Sequence, residues 1–198
     1  MSTLHVENLK GLSSGGNANK IIVPSGQTID ASAGTLVPSA GAVIQFVHTS
    51  GTYNKGFTSD TTYGSQSYTD IDSATINITP SFANSKIFIT STNHVYSTEQ
   101  SANAWRGANL RIVRTVSSTA TDVSDDESGY GEAMYIENNT DRWMTYVTRH
   151  VVDSPNTTSQ VNYKVQVASK YGNNLYINRS TYGSGGHLIA MEIKQLAS

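Results

Sequence analysis

The sequence predicts an all-β protein, an extended N-terminal anchor followed by a jelly-roll-like β-sandwich head. Three observations carry this. From Gly41 onward, strand-length runs with period-two alternation recur between polar, turn-rich stretches. No window combines a helical repeat with capping residues. The composition is 37% hydrophobic and only 14% charged, and Ser, Thr and Asn supply about a third of the chain, as outward strand positions and polar turns require.

Residues 1–19 open with the alternating Leu4 and Val6, continue through Leu9 and Leu12, and pass into the glycine-rich stretch SSGGNAN. They read as a short adhesive strand on a tether, or as a disordered terminus. Residues 20–41 form an extended connector. Ile21, Ile22 and Val23 are an extended run, Pro24 to Gly26 supplies a turn, and Ile29 resumes the chain before the breaks at Gly34 and Pro38. This segment has too few apolar residues for a core of its own, so it is expected to order against copies of itself or a neighbouring protein.

The head spans residues 42–198. Val43, Gln45 and Val47 alternate with Ile44, Phe46 and His48, and further strands are predicted around 76–78, 87–89, 110–112, 143–152, 160–168, 174–178 and 187–196. In QVNYKVQVA, Val161, Tyr163, Val165 and Val167 face one way and Gln160, Asn162, Lys164 and Gln166 the other, one side core and the other wet. WMTYVTRHVV is apolar on both sides, with Trp143, Val147 and Val151 opposed to Met144, Tyr146 and Val152. Such a strand needs a second partner, either a covering loop or a neighbouring subunit. Residues 49–74 and 117–140 are read as long loops.

Functional motifs are sparse. Gly11-Leu12-Ser13-Ser14-Gly15 matches the nucleophile-elbow pattern but lacks the strand and helix that the motif requires. The acids Asp70 and Asp72, and Asp122, Asp125, Asp126 and Glu127, are clustered in polar stretches and read as solvated turns rather than a glycosidase pair or a calcium loop. His5, His48, His94, His150 and His187 show no metal-ligand spacing. No catalytic residue, metal site or cofactor is therefore assigned. The four sequons, at Asn77, Asn138, Asn156 and Asn178, match chance expectation in so Asn-, Ser- and Thr-rich a chain. A formal charge of −2 offers no basic field for nucleic acid, no stretch suits membrane insertion, and without cysteines there is no disulfide framework. Four Tyr-Gly steps, at Tyr63, Tyr130, Tyr171 and Tyr182, place flat amphipathic rings in loop-like stretches, where they are candidate receptor contacts for sugar or protein.

The wording IIVPSGQTIDASAGTLVPSAG resembles the proximal segment of tail-fibre-like and other virion structural proteins of tailed bacteriophages. INITPSFANSKIFIT, VVDSPNTTSQVNYKV and the closing LIAMEI are more loosely similar to the distal β-sandwich of such proteins. The resemblance implies a non-enzymatic homotrimer located in the virion and assembled in the host cytoplasm. Leu4, Val6, Leu9 and Leu12 would attach it to another virion structural protein, Ile21, Ile22, Val23 and Ile29 would pack about the three-fold axis, and the head would contact a host surface glycan. A short tail fibre is the leading expectation. A capsid decoration or head-fibre protein is the alternative, and a glycan-degrading enzyme or a cellular trimeric lectin is less favoured.

Overall fold

The computed structural model describes residues 13–16, 21–28, 38–51, 55–57, 67–97, 106–124, 132–136, 143–170, 175–178 and 185–195. The chain divides into two units, Met1–Val37 and Pro38–Ser198. In the first, a turn at Pro24–Gln27 is closed by the Gln27 amide donating to the Pro24 carbonyl, with Gly26 at φ 82°. That left-handed position is the one a glycine supplies at no steric cost. Ile21, Ile22 and Val23 beside it are exposed.

Among the described residues the second unit holds eleven strands. They are β1 (Val43–Gly51), β2 (Lys55–Phe57), β3 (Thr69–Ile78), β4 (Lys86–Ser97), β5 (Arg106–Val116), β6 (Thr119–Asp122), β7 (Glu132–Ile136), β8 (Trp143–Asp153), β9 (Val161–Lys170), β10 (Leu175–Ile177) and β11 (Gly186–Ile193). Every pairing is antiparallel. β1 pairs with β11, β11 with β4, and β4 with β8, giving one sheet; β3 pairs with β9, β9 with β5, and β5 with β7, giving the other. The short β2, β6 and β10 extend these sheets, β10 and β2 beyond the end of β11 and β6 beside β5.

Set aside those three, and the pairings β1–β11, β3–β9, β4–β8 and β5–β7 join the first principal strand to the last, the second to the second-last, and so inward. One long antiparallel hairpin wound round a barrel gives this nesting, which is the jelly roll. A strand lies in each of the eight predicted regions. Val161, Tyr163, Val165 and Val167 of β9 are all buried and meet Ile76 and Ile78 of β3, Leu110 and Ile112 of β5, Ile87 and Ile89 of β4, Val147 and Val151 of β8 and Leu188 of β11 in one core. Each such side chain contributes about 1.5–3 kcal/mol through burial.

Two expectations are corrected. Residues 49–74 and 117–140 are not simply long loops. β1 runs on to Gly51, and β2, most of β3, β6 and β7 all lie in these stretches. The acids Asp70 and Asp72 accordingly sit on β3 and Asp122 on β6, in strands rather than solvated turns. β5 and β6 join through a two-residue turn in which Ser117 (φ 46°) and Ser118 (φ 72°) are both left-handed. Such turns usually carry Asn-Gly or Asp-Gly, so Ser-Ser gave no hairpin signal. β6 itself is exposed throughout and has no apolar side to reveal its period.

Candidate interaction surface

The two sheets present different outer faces. On the β3–β9–β5 sheet the outward residues are mostly polar, and several are mutually paired. Lys164 Nζ and Gln166 Nε2 donate to the two Asp70 oxygens at 2.7 and 2.6 Å, Arg111 Nε donates to Gln166 Oε1 at 2.7 Å, and the Arg111 guanidinium lies 3.9 Å over the Tyr68 ring and 3.5 Å from Asp122. Burial raises the Asp70 carboxyl, but the bonds from Lys164 and Gln166 and the charges of Lys164 and Arg111 outweigh it and hold the group below its ordinary 3.8. This face is built for water.

The outer face of the β1–β11–β4–β8 sheet is apolar and histidine-rich. Residues directly opposed in an antiparallel ladder share a face, so the registers define transverse rows. One row is Phe46–Met191–Phe88–Val152, four apolar side chains across four strands. The next is His48–Ile189–Thr90–His150, and beyond it Ser50–His187–Thr92–Thr148. On the other side of the apolar row, Val43 is opposed to Ile193; a register shift between Val43 and Gln45 brings Val43 into this face, not into the Gln45 and Val47 series that simple alternation predicts. Tyr146 is opposed to His94 and Met144 to Tyr96. Phe46, Val43, Met144, Tyr146 and Val152 are between 55% and 63% exposed, an uncommon accumulation on one face.

The face is ordered by ring contacts within it. The Phe88 and His150 rings are nearly parallel with centroids 5.9 Å apart, His94 meets Tyr146 edge-on at 5.2 Å, and Tyr96 lies 6.2 Å from Tyr176. His48 Nε2 and His187 Nδ1 approach to 3.3 Å. His94 is buried, and burial lowers its pKa below the ordinary 6.5.

β8 shows both faces that its sequence predicts. Val147 and Val151 enter the core while Met144, Tyr146 and Val152 stand in solvent, and among the described residues no loop covers them. Of the connector residues, Ile21, Ile22 and Val23 are exposed in their own unit, and Ile29 lies outside the described residues. Leu4, Val6, Leu9 and Leu12, and the tyrosines Tyr63, Tyr130, Tyr171 and Tyr182, also lie outside them. Sequence reasoning did not bring the histidines together. His48 and His187 are 139 positions apart, and only the β1–β11 register makes them neighbours. Among the described residues no group of three or more His, Cys, Asp or Glu is placed to hold a metal ion.

No family model matches the chain, and no curated protein is significantly similar to it. Among solved structures it is similar to that of infectious bursal disease virus, Gx strain, at 11% identity and a TM-score of 0.43, over 85% of this chain and 37% of that one. It is also similar to the VP2 protein of infectious bursal disease virus in T=1 particles, at 12% identity and a TM-score of 0.39, over 86% and 40% respectively. The VP2 subviral particle of the same virus gives 12% and 0.37, over 89% and 43%. The chain thus spans about two fifths of the length of these proteins.

Proposed function

We propose that the chain is a non-enzymatic virion structural protein, a short homotrimeric tail fibre whose jelly-roll head packs against its own copies. The observation that carries this reading is the transverse row Phe46–Met191–Phe88–Val152, exposed at Phe46 and Val152, on the outside of a head whose other sheet carries paired polar side chains outward. With Val43, Met144 and Tyr146, its exposed apolar area is on the order of 600 Å². That is near the roughly 800 Å² per partner of a standard protein interface. The phage-like wording of residues 20–41 supports placing the protein in a virion, with Leu4, Val6, Leu9 and Leu12 as the particle anchor and Ile21, Ile22, Val23 and Ile29 about the three-fold axis. Host contact through a surface glycan belongs to the same reading, with Tyr63, Tyr130, Tyr171 and Tyr182 as the receptor contacts.

The test is the solution mass of the full chain by light scattering during gel filtration, with the location of the protein by antibody labelling of intact particles. A mass three times 21.3 kDa and labelling at the tail are expected. A monomer at micromolar concentration overturns the self-packing, and labelling over the capsid replaces the fibre with a decoration protein.

A further inference from the structure

His48 on β1 and His187 on β11 stand on adjacent strands of a ladder that is in continuous register from Gln45 to Gly51. Both side chains are exposed. Their rings are inclined by only 18° with centroids 5.5 Å apart, and the closest approach is between ring nitrogens, Nε2 of His48 and Nδ1 of His187, at 3.3 Å.

That separation is long for a hydrogen bond from an N–H donor. It matches two ligands on one metal. With Zn–N bonds of about 2.0–2.1 Å and tetrahedral geometry, two imidazole nitrogens on the same ion stand roughly 3.3–3.4 Å apart. The rings are nearly parallel, so their in-plane lone pairs do not converge as they stand, and rotation about the broad terminal torsion of each histidine is the movement that would turn them towards one ion. The residues opposed to the pair are Ser50 and Ile189, with Thr92 and Thr90 on the next strand, so the described neighbourhood contributes no carboxylate.

We propose that His48 and His187 form a two-imidazole chelate for a borderline transition-metal ion of the Zn²⁺, Ni²⁺ or Cu²⁺ class, with water in the remaining positions. An all-nitrogen pair of this kind favours these ions, Cu²⁺ most strongly, and gives no purchase to the hard oxygen-seeking Ca²⁺ and Mg²⁺. The pairing across two strands also holds both imidazoles side by side before the ion arrives, which raises the effective concentration of the second once the first has bound.

The experiment is calorimetric titration of the full chain with Zn²⁺ and, separately, Mg²⁺. One Zn²⁺ per chain and no Mg²⁺ are expected, with His48→Ala and His187→Ala each weakening Zn²⁺ binding at least ~10-fold by reducing the chelate to a single ligand. His150→Ala, on the same face but two strands away from β11, is expected to bind as the unaltered chain does. On the unaltered chain, Zn²⁺ is expected to shift two of the five histidine ring signals in a proton–carbon NMR spectrum. This holds the proposal to account even if a variant fails to fold. Absence of Zn²⁺ binding up to millimolar concentration, or equal binding by the His48→Ala/His187→Ala double variant, overturns it.

Discussion

The Tyr163 hydroxyl donates to Asp153 Oδ2 at 2.6 Å, joining β9 of one sheet to the end of β8 in the other. Arg114 of β5 donates to the second Asp153 oxygen at 2.8 Å, so the carboxylate is held from the opposite sheet by both of its oxygens. Tyr163→Phe leaves Oδ2 without its partner in a site that is almost closed to water. A loss of about 1–3 kcal/mol in urea unfolding is expected.

The same tyrosine sets an alkaline limit. Burial, together with the hydrogen bond that the phenol donates to Asp153 and the charge of that carboxylate, pushes the phenol far above its ordinary value of 10, against an opposing contribution from Arg114. The unfolded chain therefore loses this proton first, and stability falls as pH rises above 10. Unfolding midpoints measured between pH 9 and pH 11 should decline in the unaltered chain more steeply than in Tyr163→Phe.

His94 acts at the other end of the scale. Burial lowers its pKa, so the unfolded chain takes up the proton first and stability is lost as pH falls below about 6.5. Urea unfolding at pH 7.5 and pH 5.5 checks this. The difference between the two pH values should shrink in His94→Gln, and equal differences would remove His94 as a contributor.

Glu192 is fully buried on β11 and accepts from the Ser81 amide at 2.7 Å, the Ser85 hydroxyl at 2.7 Å, the Ser81 hydroxyl at 3.2 Å and the Phe82 amide at 3.3 Å. It thereby fastens the link by which the chain passes from β3 in one sheet to β4 in the other. Glu192→Ala strands two amides and two hydroxyls, and a cost of about 3 kcal/mol in thermal or urea unfolding is expected.

Gly186 permits a second buried network. Asn178, at φ 49°, accepts from the His94 amide at 2.8 Å and donates to the Asn93 side chain at 3.0 Å, and a Cβ on Gly186 would meet its Nδ2 at 2.2 Å. Gly186→Ala must displace that side chain, so a destabilisation of about 2–4 kcal/mol is expected, read from the urea midpoint.

The outer row gives the opposite pattern. Phe46→Ser/Val152→Ser should lower the solution mass to that of a monomer while leaving the midpoint of unfolding of the isolated head nearly unchanged, because exposed positions carry little folding energy. A trimer retained by this variant would move the contact elsewhere.

Strand faces were legible where one side is apolar and the other polar, as in β9, because the two-residue period survives any tertiary context. The double-sided character of β8 was legible for the same reason, although whether a loop or another copy meets Met144, Tyr146 and Val152 was not. Hidden elements were those with no apolar side, such as β6, or with turn residues outside the usual repertoire, such as Ser117 and Ser118. The buried roles of Glu192, Asn178 and Asp153, and the meeting of His48 with His187, depend on which strands lie side by side, and local spacing holds no record of that. The nested order of strands was likewise invisible, since period-two runs show that strands exist without showing their partners.

The place of β11 bears on synthesis. It is the late strand that lies between β1 and β4, so until residues 186–193 leave the ribosome the first sheet lacks its middle and β1 has no ladder to join. Closure of the head must therefore wait for β11, with the strands before it held open meanwhile. A newly made copy would be most vulnerable to proteases and to stray strand pairing during that interval.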